Sequence, residues 1–302
     1  MYRAVIAHES AAGRGAAGRR AKQGIHMAGT KSWPDAQGAA GAEPEDEAGN
    51  PNFMTSLARG LSVIRAFSER SPNLTIADIA KTTGIPRAAA RRCLLTLMQL
   101  GYVGSDGRTF HLRPKVLALG YSFLSSTPLT SILGPLIEQA SNAVQESCSA
   151  AVLDDDEIVY IARAATKRIM SVGLNVGSRL PAYCTSMGRV LLAGLPEAEL
   201  DAYLQRVPLT PFTERTITDP ALLKGELERV RESGFALVNQ ELELGLRSIA
   251  VPIRTSAGAV VAALNISTQA ARISCPEMQS QLLPQLLRAA DEARALLAHR
   301  QG

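Results

Sequence analysis

Arg87, Arg91 and Arg92 lie within six residues of one another, next to the small residue Ala88. At about 100° per residue these four positions share one arc of a helix. The opposite arc holds Ala89, Ala90, Cys93, Leu94, Leu97 and Leu100. Guanidinium groups bind phosphates and guanine edges, and a small neighbour lets a helix come close to its target. Taken alone, the pattern also fits a surface helix with a solvated basic face.

The neighbouring residues predict how that helix is positioned. Thr75 and Asp78 form a capping box that starts a preceding helix, Gly84 ends it, and Pro86 opens the basic helix. A hairpin follows, because Asp-Gly at 106–107 lies between two short apolar runs, and both turn residues are expected at positive φ. Helix, turn, helix and hairpin make a winged helix-turn-helix, which places one helix in the DNA major groove.

We assign six residues to contact with double-stranded DNA. Arg108 lies at the hairpin tip, where it can meet a phosphate or the minor groove. The predicted set is Arg59, Arg87, Ala88, Arg91, Arg92 and Arg108. Charge supports this assignment, since residues 54–113 hold nine basic and three acidic residues, or +6, whereas the whole chain carries +4. A basic module in a nearly neutral chain is the electrostatic pattern of a nucleic-acid-binding domain.

The length of 302 residues predicts two domains. Residues 1–52 are rich in Ala, Gly and charge and are expected to form a disordered tail, although Met27 and Met54 are alternative starts. The glycine pattern at 13–18 matches a dinucleotide-binding motif, but no strand–helix–strand unit follows it. We place the DNA-binding domain at 53–113, a linker helix at 114–127 and a second domain at 128–302.

The linker helix, Pro114–Ser126, is apolar around much of its circumference. Such a helix must bury more than one face, so we predict that it pairs with its copy in a second subunit, giving a homo-oligomer, dimer or tetramer. No stretch is long and apolar enough to span a membrane, and the N-terminus lacks a secretory signal pattern. We therefore expect a cytoplasmic protein whose four widely spaced cysteines are reduced and hold no metal.

The second domain is predicted to be α+β, with an antiparallel sheet flanked by helices. Its predicted strands are Ser149–Leu153, Ile158–Arg163, Ile169–Leu174, Phe235–Asn239, Ser248–Ile253 and Val260–Ser267. Its predicted helices are Ile132–Glu146, Ser186–Ala193, Glu197–Gln205, Pro220–Ser233 and Pro276–His299.

An enzyme is not expected. Residues 184–188, Cys-Thr-Ser-Met-Gly, are similar to a nucleophile elbow, but the first glycine is missing and no histidine follows before His299. A ligand site is better supported, because Thr185 and Ser186 offer hydroxyls at a predicted helix start whose N–H groups suit a carboxylate. Arg163, Arg168 and Arg247 are candidate carboxylate partners by chemistry alone, and each could equally pair with a surface acid. No cofactor is predicted.

From Phe53 onward, about five-sixths of the chain resembles IclR-type transcriptional regulators. The matching residues include SLARGLSVIRAF at 56–67, LTIADIAKTTGIPRAAARRCLLTL at 74–97, GYVGSDGRTFHLRPKVLALGYSFLSS at 101–126, RLPAYCTSMGRVLLAGLP at 179–196 and QELELGLRSIAVPI at 240–253. RAAARR and LPAYCTSMGRVLLAGLP are most similar to the branch that controls catabolism of protocatechuate, p-hydroxybenzoate and β-ketoadipate.

The resemblance implies a GAF-like effector-binding domain. It also implies that the effector pocket is lined by Leu180, Ser186, Met187, Asn239, Leu246, Ser248, Asn265 and Ser267. The predicted function is regulation of aromatic-acid catabolism genes through a palindromic operator, with a small aromatic or dicarboxylic acid as effector and RNA polymerase as a further partner. The alternative is an architectural DNA-binding protein whose C-terminal domain only oligomerises.

Overall fold

The computed structural model describes residues 52–68, 70–165 and 174–301. The predicted tail therefore lies almost wholly outside the described residues, as do the glycine pattern, most of the strand expected at 169–174, and Arg168. The first part of the chain contains α1 (Thr55–Arg65), α2 (Ile76–Thr83), α3 (Arg87–Gln99), β1 (Val103–Ser105), β2 (Phe110–Leu112) and α4 (Leu117–Ser126), the last entered through a 3₁₀ turn at Pro114–Val116.

The helix-turn-helix forms as the local signals predict. The Thr75 hydroxyl accepts a hydrogen bond from the Asp78 N–H at 3.2 Å, and the Asp78 carboxylate accepts one from the Thr75 N–H at 2.9 Å. Gly84 ends α2 with φ of 75°. Because these contacts fix the turn, α2 and α3 pack together with α1 around the fully buried Val63, Ile79 and Leu94.

The wing forms, but its turn differs from the prediction. Ser105 pairs with Phe110, so four residues connect the strands, and of the two central residues only Gly107 has positive φ, at 95°. The Asp106 carboxylate accepts hydrogen bonds from the backbone N–H groups of Arg108 and Thr109 at 2.9 and 2.6 Å. A four-residue turn therefore replaces the expected two-residue turn. The Asp106 carboxylate stabilises it by pairing the backbone N–H groups of Arg108 and Thr109.

Two apolar surfaces are exposed in this part of the chain. On α1, Leu57 and Leu61 are 58% and 48% exposed, whereas Val63 is fully buried. Leu100, predicted on the apolar arc of α3, is also exposed, at 51%. Helix α4 has no buried residue, and its large apolar side chains Leu117, Leu119, Tyr121 and Phe123 are exposed.

The second part of the chain is a three-layer α+β arrangement. Its elements are α5 (Pro128–Val144), β3 (Ser147–Asp154), β4 (Glu157–Ala164), β5 (Arg179–Pro181), α6 (Ser186–Ala193), α7 (Glu197–Arg206), α8 (Pro220–Ser233), β6 (Ala236–Asn239), β7 (Leu246–Arg254), β8 (Val260–Gln269), α9 (Cys275–Glu277), a π turn at Met278–Leu282 and α10 (Leu283–Gln301). The six described strands form one antiparallel sheet in the order β5-β4-β3-β8-β7-β6.

Helices cover both faces of this sheet. Helices α5 and α10 pack on one face against alternate residues such as Ile249, Val251 and Leu264. Helix α6 packs on the other face, mainly against β7 and β8. We call these the α5–α10 face and the α6 face. The predicted α+β fold with an N-terminal winged helix-turn-helix is confirmed, whereas the domain boundaries stay predictions.

Within the described ranges, no single helix is long and apolar enough to cross a membrane. The segments Pro114–Ser126 and Pro128–Val144 meet the length and composition criteria only as a pair, and they are bent by 88°.

Candidate DNA-binding surface and effector site

Helix α3 presents a basic face to solvent. Arg87, Ala88, Arg91 and Arg92 are all exposed. The three guanidinium groups form no ion pair with the residues the structure describes, so they are available to an external anion. Buried Ala90, Leu94 and Leu97 hold the helix on the core from the opposite side.

The two other predicted DNA contacts differ in placement. Arg108 is exposed at the wing tip. Arg59 on α1 is half-buried. Burial raises the pKa of the Cys93 thiol on α3, and the nearby positive charge of Arg59 offsets part of that increase. Arg108 is thus exposed like the three arginines of α3, whereas Arg59 lies close to Cys93 on α3.

The start of α6 is built by close backbone packing. The Thr185 hydroxyl caps the helix by accepting a hydrogen bond from the Gly188 N–H at 3.1 Å. A Cβ added at Gly188 would lie 2.0 Å from the carbonyl oxygen of Ala182, so only glycine fits there. All eight residues of α6 are buried. The segment 182–185 is thus folded tightly over the helix terminus.

This turn holds no activated nucleophile. Burial raises the pKa of the Cys184 thiol to about 12, so the thiol stays protonated at neutral pH. Among the described residues, no group of three or more His, Cys, Asp or Glu is arranged to hold a metal ion.

Polar side chains interrupt the apolar surface of the α6 face. Ser248 pairs with Ser267 across β7 and β8, and Asn265 lies two residues before Ser267, so all three share this face. Leu246 shares it by the same alternation, as does Leu180 through its pairing with Ile158. Ser186 and Met187, each 1% exposed, begin the helix that covers it.

Two buried oxygens at this interface lack partners. The Ser186 Oγ and the Asn265 Oδ1 make no hydrogen bond with any described group, although the Asn265 amide donates to the Ser267 hydroxyl at 2.9 Å. An unpaired buried polar atom costs about 1–3 kcal/mol, so these atoms favour a site that a polar ligand completes.

The structure separates Asn239 from the other predicted pocket residues. Asn239 pairs with Arg247, which alternates with Ile249 and Val251 on the α5–α10 face. The side-chain amide oxygen Oδ1 of Asn239 accepts a hydrogen bond from Arg247 Nε at 2.9 Å. Arg247 also donates to the carbonyl oxygens of Ala270 and Ile273. Asn239 therefore lies on the face opposite Asn265, and its place in the effector pocket stays a prediction. Arg247 anchors the chain after β8 and is not free for a carboxylate.

A buried ion pair under α6 was missed by sequence reasoning. Arg189 is 1% exposed, and its Nη2 lies 2.6 Å from the Glu241 carboxylate. Its Nε donates to the Tyr183 carbonyl at 3.0 Å. The only sequence signal is an arginine inside an apolar helix, and its partner lies 52 positions away. This pair ties α6 to the segment that enters β7.

An exposed basic helix with a wing, joined to a sheet domain carrying an incomplete polar site, defines a ligand-binding transcriptional regulator. Residues 56–107 match the IclR helix-turn-helix domain, and residues 121–295 match the bacterial transcriptional regulator IclR C-terminal domain. The chain belongs to the IclR family of transcriptional regulators, which are not enzymes.

Three similar proteins narrow the assignment within the IclR family. The chain is 54% identical to the Pca regulon regulatory protein of Pseudomonas putida, over 80% of this chain and 83% of that protein. It is 35% identical to the p-hydroxybenzoate hydroxylase transcriptional activator of Acinetobacter baylyi, over 83% of this chain and 95% of that protein. An IclR homolog from Microbacterium hydrocarbonoxydans, solved in complex with 4-hydroxybenzoate, is 25% identical with a TM-score of 0.71, over 82% of this chain and 100% of that one. The family and the protocatechuate/p-hydroxybenzoate branch predicted from the sequence are confirmed.

Proposed function

We propose that this chain is a homo-oligomeric regulator that controls aromatic-acid catabolism genes in response to a hydroxybenzoic acid bound between α6 and the sheet. The observation that supports this proposal most strongly is that two buried oxygens, Ser186 Oγ and Asn265 Oδ1, have no hydrogen-bond partner among the described residues. A hydroxybenzoic acid fits such a site, because its ring packs against Met187 and Leu246 while its polar groups take up the missing hydrogen bonds.

The class of effector is supported by the similar proteins. The homolog solved with 4-hydroxybenzoate shares this fold, and the Acinetobacter relative is named for p-hydroxybenzoate hydroxylase. The other predicted effector, a dicarboxylic acid, would place a second negative charge beside the neutral hydroxyl of Ser186 and the neutral amide of Asn265. Neutral hydroxyls and amides suit a phenol better than a second carboxylate, since an unpaired charge is costly to bury.

DNA binding is proposed to use α3 and the wing of two subunits. Arg87, Arg91 and Arg92 would contact base edges and phosphates in the major groove, and Arg108 would contact the adjoining backbone. A two-fold arrangement of the two DNA-binding domains would match a palindromic operator. Such a protein acts where the DNA and RNA polymerase are, so we place it in the cytoplasm.

The oligomer is proposed to form through the exposed apolar side chains of α1 and α4. Leu57 and Leu61 on α1, and Leu117, Tyr121 and Phe123 on α4, are large apolar side chains that a monomer would leave in water. A second copy would bury them. The effector would then favour one arrangement of the C-terminal domains, and α4 would transmit it to the spacing of the DNA-binding heads.

Light scattering and DNA binding test the oligomer. Replacing Phe123 with Glu is expected to give a monomer at micromolar concentration and to weaken binding to a palindromic site, because two heads no longer bind together. The matched change Phe53→Glu, at an exposed residue before α1, is expected to leave the oligomer intact. A monomeric wild-type protein that binds the palindrome tightly would refute the proposed assembly.

Thermal unfolding separates the proposed function from the architectural alternative. At a concentration a hundredfold above its dissociation constant, a ligand adds about 2.7 kcal/mol to the stability of the domain that binds it. We expect 4-hydroxybenzoate or protocatechuate to raise the Tm of the wild type and benzyl alcohol, which lacks a carboxylate, to do so far less. If no aromatic acid changes the Tm or binds calorimetrically, the C-terminal domain only oligomerises.

A further inference from the structure

A β-bulge in β4 decides which way Arg163 faces. Ala151 pairs with Tyr160, but the preceding residue Ala150 pairs with Ala162, so Ile161 is an extra residue in β4. Strict alternation from Tyr160 would put Arg163 on the α5–α10 face. The extra residue reverses the alternation, and Tyr160 and Arg163 both lie on the α6 face.

The register then aligns Arg163 with the candidate effector site. Arg163 pairs with Ser149 on β3, and Ser149 pairs with Asn265 on β8. Ser149 and Asn265 are 2% and 4% exposed. Two inter-strand spacings put the Cα atoms of Arg163 and Asn265 about 10 Å apart. A benzoate ring with a para substituent can lie between the ends of these two side chains.

The guanidinium of Arg163 has no competing partner in the part of the chain that the structure describes. It is half-buried, and it forms neither an ion pair nor a hydrogen bond with a described residue. The adjoining segment 166–173 contains no acidic residue. Burial raises the pKa of its neighbour Tyr160 to about 12, so that phenol is neutral and cannot neutralise the arginine. Arg247, by contrast, is fully engaged on the other face.

Arg163 and Asn265, on either side of Ser149, have opposite chemical character. Arg163 offers only donors and a positive charge, whereas the unpaired atom of Asn265 is an acceptor, since its amide nitrogen already donates to Ser267. A carboxylate beside Asn265 Oδ1 would face another oxygen without a proton between them. A phenolic O–H placed there donates the missing hydrogen bond.

We infer that a hydroxybenzoic acid binds with its carboxylate against Arg163 and its ring hydroxyl against Asn265. This orientation rests on the proposed function and adds a specificity-determining residue to it. It also replaces the expectation that the start of α6 holds the carboxylate, because the Thr185 hydroxyl and the Ala182 carbonyl already close that terminus. Arg163 selects acids, and Asn265 selects hydroxylated rings.

Calorimetric titration of the full chain tests the orientation with three probes: 4-hydroxybenzoate, 4-hydroxybenzamide and benzoate. The variants are Arg163→Met and Asn265→Leu, with Arg288→Met as a matched control, since Arg288 is an exposed arginine on α10. We expect Arg163→Met to weaken 4-hydroxybenzoate binding about tenfold to a hundredfold, as for a lost charge-assisted hydrogen bond. The affinity for 4-hydroxybenzamide should change less than about threefold. Asn265→Leu should remove the preference for 4-hydroxybenzoate over benzoate and keep the preference for acid over amide.

The outcomes separate the inference from the function on which it rests. If the wild type and Arg163→Met bind 4-hydroxybenzoate equally well, or if Asn265→Leu is the variant that loses the preference for acids, the orientation is wrong while the effector class stands. If the wild type binds no aromatic acid at all, the proposed function fails and the orientation with it. Arg163→Lys keeps the charge without the fork of donors, so it should retain an intermediate acid preference, and it supplies the comparison if the Met variant unfolds.

Discussion

Neutralising Glu241 should destabilise the C-terminal domain more than any surface change of the same kind. The Glu241 carboxylate is 8% exposed and lies 2.6 Å from Arg189 Nη2, while Arg189 itself is 1% exposed. The other acid near this arginine is Glu226, at 3.7 Å, and Glu226 is already bonded to Arg229. In Glu241→Gln the positive charge of Arg189 therefore stays buried with only a distant, shared counter-charge.

Removing one partner from a buried ion pair costs about 3–5 kcal/mol. A glutamine oxygen can still accept the hydrogen bonds that Arg189 and the Ile217 N–H donate to Glu241, so we expect about 3 kcal/mol. For a domain of this size, about 2–4 °C per kcal/mol converts that loss into a Tm lower by roughly 6–12 °C.

Urea unfolding followed by far-UV circular dichroism measures this loss. The matched control is Glu232→Gln, at an exposed position on α8, which should change stability by less than about 0.5 kcal/mol. A double variant, Arg189→Met with Glu241→Leu, should be more stable than Glu241→Gln, because no charge is left buried. If Glu241→Gln and the control unfold at the same urea concentration, the pair does not hold α6 in place and the reasoning fails.

Three further outcomes are expected. Arg91→Ala should weaken operator binding by about 1–3 kcal/mol in a gel-shift titration at fixed salt without lowering the Tm, because the side chain is exposed on α3. Ser186→Leu should abolish the Tm increase caused by 4-hydroxybenzoate while leaving the ligand-free Tm close to that of the wild type, since the larger side chain occupies the ligand's place. The wing turn should loosen in acid: hydrogen bonds from Thr109 and Arg108 lower the pKa of Asp106 to about 2, so the turn's stabilisation is present above the unfolded pKa of about 3.9 and is lost as the pH falls through about 2. Amide exchange at Thr109 from pH 5 to pH 2 measures it.

For each of these three predictions, one result would contradict the physical reason given. Unchanged binding by Arg91→Ala, with Arg288→Ala as the control for overall charge, would remove Arg91 from the DNA interface. A Ser186→Leu protein that 4-hydroxybenzoate stabilises as much as the wild type would move the site away from α6. Equal protection of Thr109 at pH 5 and pH 2 would show that the Asp106 carboxylate does not hold the turn.

Local signals predicted the helices well. Ser186–Ala193 and Pro220–Ser233 have the bounds expected from the sequence. Thr185 caps the first, and Asp219 caps the second by accepting hydrogen bonds from the N–H groups of Ala221 and Leu222. These contacts lie within a few residues of each other, so the sequence alone contains the information.

Features set by pairing between distant segments could not be predicted in this way. The face of Asn239 depends on its register with β7, and the face of Arg163 depends on one extra residue in β4. The Arg189–Glu241 pair joins residues that only the folded sheet brings together. The exposure of Leu57 and Leu61 has a similar origin, because periodicity identifies an apolar face without saying what covers it.

We propose that this protein couples the binding of a hydroxybenzoic acid to transcription. The most direct measurement is run-off transcription with purified RNA polymerase from a genomic fragment that the full chain selects by binding. We expect the transcript yield to depend on the protein and to change again when 4-hydroxybenzoate is added. In Arg163→Met, the second change should require a higher concentration of 4-hydroxybenzoate, in proportion to the weaker binding. A yield that responds to the protein but not to 4-hydroxybenzoate, under conditions in which calorimetry shows the acid bound, would contradict it.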